Sequence, residues 1–255
     1  MEEFRFIDLQ VHTAFMNMAI DEAIMVAIKE GRATPTLRLY RWNPSAVSIG
    51  TFQGMTDEVD VDFCDSKGID YIRRITGGGA VYHDYEGEVT YSIIMPRNHK
   101  LARTDILESY RNLCSGIIKA LEYLDIQGEF KPINDVNVDG KKVSGNAMTR
   151  RLGCVLQHGT VLLDLDVNLM FRILKVPQEK ISDKMISDVK ERVTSIRDIL
   201  GRDVSIDELK VALKNGFADA LDIELVVSEL SEKERETAMR LAQEKYSSRD
   251  WNFSR

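Results

Sequence analysis

The sequence contains few cysteines, and no pair of them has metal-ligand spacing. Its three cysteines, Cys64, Cys114 and Cys154, lie far apart along the chain. Zinc ligands usually occur in closely spaced pairs, and an odd number of cysteines disfavours a disulfide framework. We therefore expect three reduced thiols in a reducing compartment.

The sequence also lacks a long apolar run and an excess of basic charge. No stretch approaches the roughly 20 apolar residues needed to span a bilayer, and the N-terminus is acidic where a signal peptide is basic. These absences predict a cytoplasmic protein that does not span a membrane. Lys and Arg number 34 against 41 Asp and Glu, a net charge of −7. This charge disfavours non-specific nucleic-acid binding, because a polyanion is attracted to cationic surfaces.

Apolar patterning predicts one domain of mixed architecture. Hydrophobic residues make up 44% of the 255 residues and charged ones 29%, as in globular proteins of one large domain. Alternation predicts strands at 4–9, 36–42, 46–50, 68–74, 80–82, 88–95, 135–138, 141–147 and 152–163. A spacing of three to four residues predicts helices at 14–30, 57–67, 104–124, 166–175, 187–199, 205–220 and 231–245. The mixture predicts an α+β (mixed α/β) domain over 1–255, with an α/β part at 1–185 and a helical segment at 186–255.

A run of three glycines, at positions 77–79, follows Arg73 and Arg74. Because glycine loses much backbone entropy on folding, such a run needs a reason. One reason is close approach of bare N–H groups to an anion, with the arginines adding positive charge. Another is a plain glycine-rich turn between strands. The run matches neither G-x-G-x-x-G nor the Walker loop, which disfavours those two kinds of nucleotide site.

Two further clusters carry candidate polar groups. Asn134 and Asp135 precede a predicted hairpin that contains Lys142. A lysine ammonium can offset negative charge at a reacting centre, although adjacent lysines beside a turn are usually solvated. His158 lies in a predicted apolar strand, where it either faces a pocket or is hydrogen-bonded in the core. The histidines lack ligand spacing, so a zinc site is not expected.

Taken together and in order, these clusters resemble the lipoate–protein ligase family, within the wider superfamily of biotin/lipoate ligases and octanoyl transferases. The resemblance rests on five blocks of this sequence, at 18–23, 39–53, 73–84, 142–147 and 156–160. It implies a class II synthetase-like fold, in which a largely antiparallel sheet is flanked by helices.

The resemblance implies a two-step reaction that depends on ATP. Lipoate would attack the α-phosphorus of ATP to give lipoyl-AMP, and a lysine of a lipoyl acceptor protein would then attack the mixed anhydride. The implied acceptors are the E2 subunit of 2-oxoacid dehydrogenases and the H protein of glycine cleavage. Lys142 is the implied catalytic residue, placed between the lipoyl carbonyl and the phosphate. Mg²⁺ would bridge the ATP phosphates, with Asp135 as its candidate ligand.

The residues implied to bind ATP or lipoyl-AMP belong to the same blocks. Those at 76–78 would also border the lipoyl channel. The full set is Arg74, Thr76, Gly77, Gly78, Gly79, Ala80, Val81, Tyr82, His83, Asn134, Asp135, Lys142, Gly145, Ala147, His158 and Thr160.

Cysteine-dependent octanoyl transferases of the same superfamily are the main alternative. One branch has its nucleophilic thiol shortly before the lysine block, where residues 132–135 of this chain contain no cysteine. Cys154 follows the block among apolar residues, which favours a packing role. The sequence therefore predicts an ATP-dependent ligase. Two alternatives remain: an octanoyl or lipoyl transferase that uses no ATP, and a non-catalytic binder of lipoyl-adenylate. A biotin ligase is disfavoured because its loop usually reads Gly-Arg-Gly.

The last residues of the sequence, 245–253, resemble the segment that joins the ligase catalytic domain to a smaller accessory domain. That domain has no counterpart before Arg255. Either that domain was cut from the sequence, or it is a separate polypeptide. We expect the second, with this chain as the large subunit of a two-subunit ligase that has a small accessory subunit. Trp251 is then expected to mark the edge at which the partner docks.

Overall fold

The computed structural model describes residues 1–102, 105–175 and 191–255. The strands are β1 (Glu2–His12), β2 (Thr36–Trp42), β3 (Ala46–Ile49), β4 (Asp70–Arg73), β5 (Val81–His83), β6 (Glu88–Pro96), β7 (Glu129–Lys131), β8 (Asp135–Val138), β9 (Lys141–Arg151), β10 (Cys154–Leu162) and β11 (Ile223–Val227). The helices are α1 (Ala14–Lys29), α2 (Met55–Glu58), α3 (Val61–Lys67), α4 (Ile106–Glu122), α5 (Val167–Ile173), α6 (Ile196–Leu200), α7 (Ile206–Leu221), α8 (Glu232–Leu241) and α9 (Arg249–Asn252), with a π-helical turn at Ala242–Tyr246 after α8.

Two sheets organise these elements. The large sheet has the order β11-β1-β2-β6-β10-β9-β8-β7, and the small sheet has the order β4-β3-β5. In the large sheet β1 runs parallel to β11 and to β2, and every other neighbouring pair is antiparallel. The sheet is therefore largely antiparallel, as the family resemblance implies.

Both faces of the large sheet are covered by helices, because its central strands bury side chains on both sides. On β2, Leu39 packs with α4 and α7, whereas the next residue, Tyr40, packs with α1 on the opposite face. Helices α4 and α7 meet almost backbone to backbone. A Cβ atom added at Gly216 would lie 2.4 Å from the backbone nitrogen of Ala120. This contact fixes α7 against α4 and seals the core on that face.

Short-range signals explain where several helices begin and end. Thr13 caps α1 by accepting a hydrogen bond from the backbone N–H of Met16 at 3.4 Å, and Gly31 follows the helix with φ +69°. The predicted helix at 57–67 is instead two short helices. The break occurs because the Asp60 carboxylate accepts from the backbone N–H of Phe63 and starts α3 afresh.

Other element boundaries also differ from the predictions. Strand β9 continues to Arg151, and β10 begins at Cys154, because Leu152 and Gly153 form a turn with φ +54° and +72°. Strands β7 and β11 are short edge strands that the pattern did not indicate. The segment at 186–255, predicted to be helical, also contains β11, which pairs with the start of β1. The predicted helix at 187–199 lies partly outside the described residues, which contain α6 in that region.

The C-terminal residues pack on the small sheet of their own chain. The indole N–H of Trp251 donates to the carbonyl oxygen of Arg73 at 2.8 Å, and the side chain of Asn252 accepts from the Arg73 backbone N–H at 2.8 Å. The Arg73 guanidinium in turn donates to the carbonyl of Gln53 at 2.5 Å. Trp251, expected at a partner's docking edge, is thus engaged within its own domain. Among the described helices none is long and apolar enough to cross a membrane.

Candidate functional site

A cavity of about 280 Å³ lies between the small sheet and the large sheet. This volume is just below the range of roughly 300–1,000 Å³ typical of ligand pockets. Its polar lining comes from both sheets and from the loops beside them. All of the predicted site residues except Thr76, Gly77 and Asp135 line this cavity, and those three contact residues that do. The other lining residues, which are not in the predicted site set, are Met18, Tyr40, Trp42, Ser48, Thr90, Asn146, Gly159, Leu162, Leu165, Met170, Leu174 and Val193.

The glycine loop is built around the buried guanidinium of Arg74. Its Nη2 atom donates to the carbonyls of Gly77 and Gly79, both at 2.8 Å, and its Nε atom donates to Thr76 Oγ1 at 3.1 Å. Its Nη1 atom donates to the carbonyl and the hydroxyl of Ser48 at 3.0 and 3.1 Å. All five N–H groups are therefore directed at this chain, so Arg74 shapes the loop instead of reaching a nucleotide directly. Burial lowers the pKa of Arg74 to about 10, which leaves it charged at neutral pH.

Glycine is required in this loop for reasons of space and conformation. Gly78 has φ +96°, and an added Cβ atom would lie 2.8 Å from Arg74 Nη2. Within the described part of the chain, the N–H groups of Gly77, Gly78 and Gly79 have no hydrogen-bond acceptor. Three such groups in sequence make the loop suited to a carbonyl oxygen or an anion.

Lys142 lies near the start of β9, opposite a bulge in the pairing with β8. Its Nζ atom is 2.8 Å from Asp135 Oδ1, and both side chains are partly exposed. Gly145 leaves room for the lysine, because a Cβ atom there would lie 2.7 Å from Nζ. Asn146 donates to the carbonyl of Asn134 at 2.8 Å, and the Asn134 side chain donates back to the Asn146 carbonyl. The two strands thus hold the ammonium at the cavity wall.

The predicted magnesium ligand, Asp135, is paired with Lys142 through its carboxylate. Among the described residues no group of three His, Cys, Asp or Glu side chains has an arrangement that suits a metal ion. A nucleotide-bound Mg²⁺ takes one or two carboxylates together with phosphate and water oxygens. Asp135 as its ligand therefore stays a prediction, and we derive no step through it.

His158 belongs to a buried network that links α1 to the glycine loop. Its Nε2 atom is 2.8 Å from Thr76 Oγ1, and its Nδ1 atom is 3.5 Å from Asp21 Oδ2, too far for a firm hydrogen bond. Burial lowers the pKa of His158, although the nearby Asp21 carboxylate acts in the opposite direction. We therefore expect a neutral imidazole that positions Thr76.

A second buried imidazole joins a hydroxyl to a carboxylate in the cavity wall. Ser48 Oγ on β3 is 2.8 Å from His83 Nε2, and His83 Nδ1 is 2.7 Å from Glu88 Oε1. All three side chains are buried, and Ser48 and His83 line the cavity. The sequence analysis did not predict Ser48 or Glu88 as site residues, because the spacing of positions 48, 83 and 88 gives no sign that these side chains meet.

None of the three cysteines lines the cavity. Cys64, Cys114 and Cys154 are all buried in the apolar clusters of the core. Burial raises the pKa of Cys64 and of Cys114 to about 12, and it also raises that of Cys154. A thiol of this kind is a poor nucleophile, because the reactive species is the thiolate.

Comparison with known proteins places this geometry in a family. Residues 13–218 match the family described as the lipoyl protein ligase A/B catalytic domain. Octanoyltransferase LipM of Brevibacillus brevis is 34% identical, with all of both chains covered. LipM of Kyrpidia tusciae is 37% identical, with 99% of each chain covered. These relatives are octanoyltransferases, so the prediction that this chain is an ATP-dependent lipoate–protein ligase is wrong.

Solved structures of the same family confirm the predicted fold class. One is that of a bi-partite lipoate protein ligase and its E2 lipoyl domain from Thermoplasma acidophilum. It has a TM-score of 0.88 and 35% identity, and 99% of this chain and 96% of that chain are covered. Another, lipoate-protein ligase A bound with ATP, has a TM-score of 0.83 and 32% identity with 98% of each chain covered. Both support a class II synthetase-like ligase fold for this chain.

Proposed function

Because the chain belongs to the lipoyl protein ligase A/B catalytic domain family, we propose that it is an acyltransferase of protein lipoylation. It moves an octanoyl or lipoyl group from an acyl-carrier-protein thioester to a lysine of a lipoyl acceptor domain, without consuming ATP. The observation that carries this proposal is the similarity to octanoyltransferases over the whole length of both chains. The acceptor class is supported by the E2 lipoyl domain that accompanies the Thermoplasma ligase.

The cavity suits the acyl part of such a donor. Apolar side chains, among them Leu162, Met170 and Leu174, line its wall, and a medium-length acyl chain gains free energy by leaving water for such a surface. The modest volume favours one acyl chain over a larger ligand. The acyl carbonyl would then lie near the polar groups of the glycine loop and of β9.

The chemistry requires charge stabilisation more than a redox group or a metal. As an amine attacks a thioester, negative charge develops on the carbonyl oxygen, the C–N bond forms, and the carrier leaves as a thiol. The Lys142 ammonium and the N–H groups of the glycine loop are fixed donors on one cavity, and such donors stabilise an oxyanion. Asp135 holds the ammonium at the wall. Lys142 is thus the proposed catalytic residue, and the other predicted residues are the proposed binding site.

We further propose that residues 1–255 act as a single catalytic domain, because the C-terminal residues pack on the small sheet. The accessory subunit expected for a ligase remains a prediction. Adding a separately purified candidate subunit to the transfer assay tests it. A rate that rises with that subunit would support the two-subunit arrangement.

The experiment follows octanoyl transfer from an acyl-carrier-protein thioester to a purified lipoyl domain by intact mass, in the absence of ATP. The wild-type chain should add one octanoyl group per lipoyl domain. Lys142→Met should slow transfer by about 100-fold, the typical effect of losing one oxyanion donor. The matched control is Lys141→Met, the neighbouring exposed lysine, which should keep the wild-type rate. Equal losses in both variants would contradict the assignment of Lys142.

A further inference from the structure

The arginine that precedes Arg74 has no part in the acyl transfer described above. Arg73 ends β4 and is 1% exposed, and it is not among the described residues that line the cavity. A buried guanidinium is costly unless its N–H groups have acceptors. The acceptors of Arg73 therefore show which parts of the chain this side chain holds together.

One set of acceptors belongs to the turn at 50–53, which follows β3. Arg73 Nη1 faces the carbonyl oxygens of Gly50 at 3.3 Å, Thr51 at 3.2 Å and Gln53 at 2.5 Å. The Gln53 side chain also accepts from the backbone N–H of Gly50 at 2.9 Å. Because a cation attracts all three carbonyl oxygens, the guanidinium fixes the shape of this turn.

The other set of acceptors belongs to the C-terminal helix α9. Arg73 Nε donates to the carbonyl of Trp251 at 3.0 Å, and Nη2 donates to the carbonyl of Asn252 at 3.1 Å. The Trp251 indole and the Asn252 side chain also bond the backbone carbonyl and N–H of Arg73. Helix α9 thus holds both the main chain and the side chain of this arginine.

The turn at 50–53 is in direct contact with the glycine loop. The backbone N–H of Thr51 donates to the carbonyl of Thr76 at 2.8 Å. A Cβ atom added at Gly50 would lie 2.1 Å from the carbonyl oxygen of Gly78. Since the two backbones are packed this closely, a shift of the turn has to move residues 77–79 as well.

We propose that Arg73 is a positioning residue for the glycine loop, and that α9 holds Arg73 in the orientation this requires. The inference rests on the proposed function, in which the N–H groups at 77–79 stabilise the oxyanion. Such donors act only when they are fixed at the right place, and a displacement of about 1 Å can cost about 100-fold in rate. Arg73 acts through the turn at 50–53 and does not touch the substrate.

The first test compares the transfer kinetics of two variants with the wild type. Arg73→Lys keeps the charge, but one ammonium cannot replace a planar fork that bridges the turn and α9. It should lower kcat for octanoyl transfer by about 10- to 100-fold and leave KM for the carrier thioester unchanged. Trp251→Phe keeps an aromatic ring and removes only the N–H that bonds Arg73. It should give a smaller loss of the same kind.

The matched control is Arg5→Lys. Arg5 is a largely buried arginine that also holds a C-terminal helix, because it donates to Glu234 of α8 at 2.8 and 2.6 Å. It lies outside the described lining of the cavity. Arg5→Lys should therefore lower the urea midpoint of unfolding while kcat stays at the wild-type value.

The second test measures backbone hydrogen exchange by mass spectrometry, which requires no activity. The informative peptides contain Thr51 and Arg74, whose N–H groups donate to the carbonyls of Thr76 at 2.8 Å and Ile49 at 3.0 Å. Exchange at these amides should be about five- to tenfold faster in Arg73→Lys, as when a hydrogen bond is weakened. Arg5→Lys should leave exchange in these peptides unchanged.

A fall in kcat together with faster exchange at Thr51, in Arg73→Lys or in Trp251→Phe, supports the inference. If Arg73→Lys does not fold, Trp251→Phe decides. An unchanged kcat, a loss of kcat without faster exchange, or an equal loss in Arg5→Lys would overturn the inference and leave the function standing. If the wild type transfers no octanoyl group without ATP, the proposed function fails. Exchange then decides whether Arg73 positions the loop, and unchanged exchange would overturn that as well.

Discussion

The buried carboxylate of Asp21 offers the most demanding test of the packing. Its Oδ1 atom accepts from Arg38 Nη1 at 2.9 Å and from Ser92 Oγ at 2.8 Å, and the side chains of Asp21 and Arg38 are almost completely buried. Removing one partner of a buried ion pair leaves the other charge without compensation, which costs about 3–5 kcal/mol. Asp21→Asn should therefore lower the free energy of unfolding by about that amount.

Urea unfolding followed by circular dichroism measures the change, with Asp62→Asn as the matched control. Asp62 is exposed, in the first turn of α3, and its variant should stay within about 0.5 kcal/mol of the wild type. Replacing the pair together, as Asp21→Leu with Arg38→Met, should cost less than Asp21→Asn alone, because no buried charge is left unpaired. A loss below about 1 kcal/mol in Asp21→Asn would contradict a buried ion pair between Asp21 and Arg38.

The stability lost in Asp21→Asn should depend on pH in a direction that the pKa of Asp21 sets. Burial alone would raise the pKa of Asp21, but its contacts with His158, Arg38 and Ser92 outweigh burial, and the net pKa lies below the ordinary 3.8. A carboxyl with a lowered pKa in the folded state stabilises the fold above its unfolded pKa, and this stabilisation is lost as the pH falls through the folded value. The difference between wild type and Asp21→Asn should thus be full at neutral pH and should shrink below about pH 4.

Two further predictions concern the core. Gly216→Val should destabilise the protein by about 1–3 kcal/mol, since a Cβ atom would lie 2.4 Å from the Ala120 backbone nitrogen; an unchanged urea midpoint would contradict the α4–α7 contact. All three cysteines are buried, with the pKa of Cys64 and Cys114 raised to about 12. A thiol reagent at about pH 8 should therefore react with the native chain only after urea is added, and prompt labelling would count against this account.

Much of the fold could be predicted because its signals are local. Thr13 and Gly31 bound α1, and the alternation along 36–42 gives β2 with its bounds as observed. Strand β11 could not be predicted in this way, because it is a short edge strand fixed by pairing with β1, which lies at the opposite end of the sequence. A pattern read in a local window contains no information about such a partner.

The candidate site was predictable where its residues are contiguous. The glycine loop and the block around Lys142 do line one cavity, as their resemblance to a known family implied. Ser48 was not predictable, because its partners at positions 83 and 88 are distant in sequence and meet it only when β3 pairs with β5. Arg74 was predicted to bind the nucleotide, but its five N–H groups donate to groups of its own chain.

Octanoyl transfer without ATP can be tested by offering the chain two octanoyl sources side by side. One reaction contains an octanoyl-carrier thioester and a lipoyl domain with no ATP, and the other contains free octanoate, ATP and the same lipoyl domain. We predict that the acceptor gains an octanoyl group in the first reaction. Acylation in the second reaction alone would contradict ATP-independent transfer.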